Sequence, residues 1–517
     1  MNSYYSVAYM AVFLPLTILA YQLMPVRKRW LVLLAASYFF FYAISGKLVV
    51  FVILSSLSIH HFGLWLEHID HQEETRKIRM KQKRKVLLFA ILLHMGLLVV
   101  LKYMPFFLSN LNQLAAVMGL SISWSVSRYA LPIGLSFYTL QAVSYMVDVY
   151  RGQQKADPHL GRICLYLAFF PQIMEGPIAR YRQTADQLYA GRAITYTQLT
   201  FGIQRILYGF FKKMVIADRL NPLVKAIFTN YTDYAGEMIL LGALAFTLQL
   251  YMEFSGTMDV VIGTAEIFGI HLPENFRQPF FSKSISEFWK RWHISLGTWF
   301  KDYVFYPVAM SSWSKKLTVR ARKKIGPLYG PILCSAFALL AVWIGNGFWH
   351  GTGWNFLFFG LYHFTLIFLG SLILPVTRKW SAKWRIDRNH WLYQSWQLVR
   401  TFILVCIGEL FFHANGLWAG LQMFGRILTT TSLASFQDGT LFSQGLDAQD
   451  FIIVLLSLGI VLWVSIQKER QVSIRQMIAA KPIPIRWACY YALILMIIIF
   501  GAYGYGYIPV DPMYANF

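Results

Sequence analysis

The stretch AVWIGNGFWHGTGWNFLFFG, residues 341–360, holds one ionisable side chain, His350, between two long apolar runs. That placement predicts bilayer depth. A charge centred in a bilayer costs roughly 2.5–3.5 kcal/mol on insertion scales, so ionisable groups found there tend to be functional. Histidine avoids much of that cost by staying neutral, and a neutral imidazole in a dry site is a good general base. Gly345, Gly347, Gly351 and Gly353 thin the helix wall on both sides of it. They let another backbone or a ligand come close. The residues alone leave two readings open, a general base or a satisfied core histidine in a tightly packed helix pair.

Composition fixes the solvent of the chain. Of 517 residues, 57% are hydrophobic and only 14% charged. A soluble chain of this length is about a quarter charged. The 47 Lys and Arg outweigh 24 Asp and Glu, a net charge of +23. The hydropathy argues against a nucleic-acid partner, and the excess reads instead as basic cytoplasmic loops of an all-α polytopic protein in a lipid bilayer. Cys164, Cys334, Cys406 and Cys489 are scattered, without a CxxC pair, so they define neither a disulfide framework nor a zinc site. His60 and His61 are adjacent and diverge by about 100° on a helix, a poor ligand pair. No metal site is expected. The chain carries no GxSxG elbow and no GxxxxGK[ST] phosphate loop, so a hydrolase and an ATP-driven pump lack support.

Outward from residue 350, basic clusters order the topology. They lie at 27–29, 76–85 (RKIRMKQKRK), 315–324 (KKLTVRARKK), 378–388 (RKWSAKWRIDR) and 468–486. All should face the cytoplasm. Apolar runs at 5–24, 30–46, 47–66, 86–104, 129–149, 327–349, 354–375, 396–414, 451–466 and 487–504 then alternate consistently. Both termini fall outside. The first run has no basic residue before it, the reverse of a cleavable signal. The middle, 159–310, reads as shorter apolar runs broken by FFPQIMEGPIARY (169–181) and PENFRQPFF (273–281). Backbone freed by Pro and Gly survives at depth only inside protein or beside a wet cavity, so re-entrant segments are expected. About eleven full spans are expected in all. The chain divides into N-terminal helices (1–128), a core (129–375) and C-terminal helices with a tail (376–517).

Two further regions carry unusual residues. In ISEFWKRWHISLGTWFKDYVFYP (285–307), Glu287, Lys290, Arg291, His293, Lys301 and Asp302 sit among aromatics. An amphipathic helix at the membrane face reads this way. So does a basic, aromatic rim for a substrate with phosphates and an adenine, for which Lys290, Arg291 and Lys301 are the candidates. In QLYMEFSGTMDVVIGTAEIFG (249–269), Glu253, Asp259 and Glu266 lie in an apolar run, and Arg277 or Lys290 are the expected partners.

Five blocks carry a resemblance. They are LPIGLSFYTLQAVSYMVDVYRG (131–152), FFPQIMEGPIARY (169–181), YMEFSGTMDVVIG (251–263), PENFRQPFFSKSISEFWKRWHISLGTWFKDYVFYP (273–307) and GFWHGTGWNFLFFGLYHF (347–364). In this order they resemble membrane-bound O-acyltransferases, in the branch of the bacterial alginate O-acetyltransferases. The resemblance implies a ring of helices around a thin core with a tunnel. It also implies His350 as the catalytic histidine and His293 as the family's second histidine. SGTMD replaces the branch's more usual SGYSD.

The expected reaction is acyl transfer from a cytoplasmic thioester, most simply acetyl-CoA, with no permanently bound cofactor. His350 takes the proton of an incoming hydroxyl, whose oxygen attacks the thioester carbonyl. Related envelope systems pass the acyl group through a C-terminal tyrosine, here Tyr514 in PMYANF. An extracytoplasmic serine esterase-like partner would then carry it to a cell-envelope polysaccharide, placing the protein in the bacterial cytoplasmic membrane. Two alternatives are D-alanyl transfer from a carrier protein to teichoic acid, and a transporter of polysaccharide or lipid intermediates. The inverted repeats that would favour the transporter are not visible in the sequence.

Overall fold

The computed structural model describes residues 3–126 and 129–503. Among these the secondary structure is helical, with one isolated bridge between Phe276 and Trp292. Eight helical segments are long and apolar enough to cross a membrane: Val26–Asp70, Arg76–Val117, Gly236–Ile267, Ser312–His350, Trp354–Lys383, Trp391–His413, Ala448–Glu469 and Ile483–Phe500. Only helices satisfy the backbone at that depth without a closed barrel.

One compact unit lies within Met1–Phe210 and Thr257–Pro273. Its helices are α1 (Leu14–Leu23), α2 (Arg29–Ser45), α3 (Val49–Asp70), α4 (Arg76–Leu98), α5 (Met104–Val117), α6 (Leu135–Tyr150), α7 (Leu160–Ala168), α8 (Tyr181–Tyr189) and α9 (Tyr196–Phe210). The expected run 5–24 is a π-helical turn, Ala8–Phe13, leading into α1. The expected span 129–149 is instead the 16-residue α6, buried from Leu135 to Val149. Its apolar majority suits a helix enclosed by protein as well as one in lipid, and it also buries Ser136, Thr139, Gln141, Ser144 and Asp148, as a protein interior can.

The second unit lies within Phe211–Gly256 and Glu274–Val510. It holds α10 (Asp218–Thr229), α12 (Ile285–Arg291), α13 (Ile294–Phe300), α14 (Tyr306–Ala309), α15 (Ser312–His350), α16 (Trp354–Lys383), α17 (Trp391–His413), α18 (Leu417–Thr429), α19 (Ala434–Gln437), α20 (Ala448–Glu469), α21 (Ile474–Ala479) and α22 (Ile483–Phe500). The 32-residue α11 (Gly236–Ile267) contributes to both units. It corrects the expectation that 159–310 holds only runs shorter than a span. Its four carboxylates, Glu237, Glu253, Asp259 and Glu266, lower the apparent hydropathy, but the first three are buried in protein and the fourth is half-buried.

Asp259 pairs with Arg205 of α9 at 2.9 Å, not with Arg277 or Lys290. Arg205 lies far upstream, so the partner was invisible to a local search. Breaking one side of such a buried pair costs about 3–5 kcal/mol. In the second unit, Lys213 pairs with Asp218 at 2.6 Å, and Lys212 donates to Ser255 Oγ at 2.8 Å. Arg219 binds Asp450 and donates to the Phe500 carbonyl at 2.6 Å. The Ala502 N–H donates to the Met214 carbonyl at 2.8 Å, fixing the chain just after α22.

The long α15 is two helices joined across Gly326, whose φ of 87° only glycine adopts freely. The basic stretch 315–324 lies before that kink, and the apolar run from Pro327 to His350 lies after it.

Candidate active site

The site grows from how two short sequences are held. The stretch 285–307 is not one amphipathic helix. It breaks at Trp292–His293, between α12 and α13. His293 adopts φ 46°, ψ 50°, a left-handed conformation uncommon outside glycine. The bridge across Phe276 and Trp292 holds it there, with Arg277 N–H donating to the Arg291 carbonyl (2.9 Å) and Ile294 N–H to the Asn275 carbonyl (3.0 Å).

Asn275 also sets the His293 tautomer. Its Oδ1 accepts from the Ser295 backbone N–H at 3.0 Å and from Ser295 Oγ at 2.8 Å. A backbone N–H can only donate, so this atom is the amide oxygen. His293 Nδ1, 3.2 Å from the same oxygen, must therefore carry its proton, which makes Nε2 the basic nitrogen. Burial, and then the neighbouring His350, push the His293 imidazole well below its ordinary range. It stays neutral at physiological pH.

His350 is the last residue of α15 and is 4% exposed. Its ring meets Trp349 at 4.9 Å, Phe412 at 5.2 Å and Phe359 at 6.0 Å between centroids. Trp349 in turn meets His293 at 5.3 Å. The two histidines, far apart in sequence, thus flank one tryptophan in an aromatic enclosure. Phe254 closes the His293 side at 4.8 Å.

The glycines around His350 serve close packing, as the sequence allowed. A Cβ on Gly360 would lie 2.3 Å from the Trp343 carbonyl oxygen, and one on Gly347 2.7 Å from that of Phe356. Backbone meets backbone there, and α15 and α16 cannot separate without moving His350. Gly360→Leu should therefore reduce folded protein in the membrane severely, whereas Gly370→Leu, with nothing within 4 Å of its Cβ position, should be tolerated. Detergent-extracted yield and thermal midpoint check this, and equal yields would contradict it.

Sequence reading missed His363. It is fully buried and accepts from Trp289 Nε1 at 3.1 Å, so its proton sits on Nε2. Phe359 contacts it at 4.6 Å and also touches His350. The available signal was the same as for His350, an ionisable residue in an apolar run. Glu409 on α17, 2% exposed, was missed for want of that test too.

The basic candidates divide. Lys290 and Lys301 are exposed, with Lys301 Nζ over the Tyr306 ring at 5.7 Å. Arg291 is held by Glu287 at 2.9 Å and by Glu469, tying α12 to α20. Tyr514 lies outside the described residues.

Comparison with known proteins matches the sequence to a family. Residues 36–322 match the model of the membrane-bound O-acyltransferase family, a match that includes His293 and ends before His350. The chain is 31% identical to the probable alginate O-acetylase of Azotobacter vinelandii, over 84% of this chain and 78% of the relative. It is 27% identical to the peptidoglycan O-acetyltransferase of Helicobacter pylori, over 77% and 72%. It is 30% identical to the teichoic acid D-alanyltransferase of Bacillus subtilis, over 54% and 68%. With a family match across more than half its length and eight helices long and apolar enough to cross a membrane, the chain is a multi-pass membrane enzyme that belongs to the membrane-bound O-acyltransferase family.

Proposed function

We propose that this protein takes an acetyl group from acetyl-CoA on the cytoplasmic side and passes it across the membrane for O-acetylation of a cell-envelope polysaccharide. The observation that carries the reading is the convergence of His350 and His293 on Trp349 within a buried aromatic enclosure. A neutral imidazole shielded from water is suited to abstract a hydroxyl proton. In the reaction His350 takes that proton and the oxygen bonds to the thioester carbonyl carbon. Collapse breaks the C–S bond, and the thiolate leaves with the proton from the imidazolium.

The exposed Lys290 and Lys301 supply positive charge for the donor's phosphates, while Arg291, fixed by its two carboxylates, braces the rim. Tyr514 is the first acceptor, on the extracytoplasmic face with both termini. A phenol ester is a good relay because phenolate leaves more readily than an alkoxide. A secreted serine esterase-like partner then carries the group to the polymer. The alginate and peptidoglycan enzymes among the relatives support an acetyl group and an envelope polymer.

The D-alanyltransferase relative supports a second reading, transfer of D-alanine to teichoic acid. Deleting the gene and treating purified envelope polymer with mild base separates them. Acetate release should fall to background while D-alanine release is unchanged. Loss of D-alanine alone would favour the second reading, and loss of neither would overturn both.

A further inference from the structure

Asn346 lies one helical turn before His350 on α15 and is 6% exposed. Its side-chain oxygen is buried and has no hydrogen-bond partner among the described residues. A buried carboxamide oxygen left without a partner in an apolar, membrane-length helix is costly to keep unless a ligand uses the group, and a half-turn of the amide sets its N–H where the oxygen stands. Ala or Leu would pack there without that penalty.

Its direction is informative. At 100° per residue, Asn346 points about 40° from His350 and about 60° from Trp349 around the helix. It therefore faces the sector between His350 and the indole that contacts His293. Residues four apart on a helix have Cβ atoms about 5–6 Å apart. A carbonyl group placed between them can meet the imidazole's reacting partner at its carbon and the carboxamide at its oxygen, each at hydrogen-bond or near-attack distance.

We propose that Asn346 is a further catalytic residue, whose carboxamide N–H binds the carbonyl oxygen of the acyl thioester and the oxyanion that forms from it. This rests on the reading of His350 as general base. The hydroxyl proton passes to His350 and the new C–O bond forms. The carbonyl π pair moves onto the oxygen held by Asn346. That pair then returns, the C–S bond breaks, and the thiolate takes the proton from His350. Donors placed where charge develops act most strongly in a water-excluded site.

The test measures thiol released from acetyl-CoA by membranes holding the full-length chain, with membranes lacking it as the blank. Removing one oxyanion donor costs about 10²–10³-fold in kcat, so Asn346→Ala should lose at least that, with KM for acetyl-CoA little changed. Asn346→Ser, near Ala in size but still a donor, should recover at least about tenfold of the loss. This comparison reads the hydrogen bond apart from packing, and matched thermal midpoints confirm the fold. A loss below about tenfold in Asn346→Ala, or equal impairment of Ala and Ser, with His350→Ala inactive, would overturn the role of Asn346 alone. Wild-type thiol release by His350→Ala would overturn the base reading and this one together.

Discussion

His350→Ala should reach the membrane at near wild-type level and leave envelope polymer unacylated. The imidazole is at the end of α15, against Trp349, Phe359 and Phe412, and is placed by close backbone packing at Gly347 and Gly360. A positioned general base contributes about 10²–10⁴-fold. Activity above about a tenth of wild type is therefore incompatible with that role. Truncating a buried ring also opens a cavity, so His350→Gln, which keeps most of the volume, is the matched control. It should insert and accumulate normally and be as inactive as the alanine variant. Acetate released from extracted polymer is the readout.

Tyr514→Phe should stop transfer to the polymer as fully as His350→Ala. The change removes one oxygen and keeps the aromatic ring, so any role in anchoring at the interface, where tyrosine is enriched, is retained. Fixing the chain at Ala502 by its hydrogen bond to Met214 leaves a short reach, roughly 40 Å at full extension, for residue 514 to meet the acyl group. The variant should still release thiol from acetyl-CoA slowly, to water, because the base is intact. Near-normal polymer acylation by Tyr514→Phe would reduce the residue to an anchor.

Much of this was legible in the sequence because membrane burial imposes long, uniform apolar runs. The helices at 29–45 and 49–70, and those at 327–350, 354–383, 391–413, 448–469 and 483–500, follow the runs that hydropathy marks out. The glycine pattern around His350 signalled close packing, and the EFWKRWH and WHG blocks drew attention to two histidines that both meet Trp349. Hydropathy failed where protein, not lipid, surrounds a helix. It credited α6 as a span although it is short and enclosed, and it missed α11 because Glu253, Asp259 and Glu266 interrupt it.

Partner choice was the other blind spot. Asp259 meets Arg205, and Arg291 meets Glu469, across sequence distances that no local pattern encodes. The left-handed turn at His293 was likewise hidden, because the bridge from Asn275–Arg277 that enforces it comes from a separate segment. His363 and Asn346 were readable by the rule that singled out His350, a polar group in an apolar run, but only their burial and bonding give them weight.

The most direct measurement is a purified full-length preparation incubated with acetyl-CoA labelled in the acetyl group, following released thiol and protein-bound label together. Wild type should release thiol and take up label, and His350→Ala should do neither. Thiol release by His350→Ala at the wild-type rate would contradict acyl transfer at this histidine.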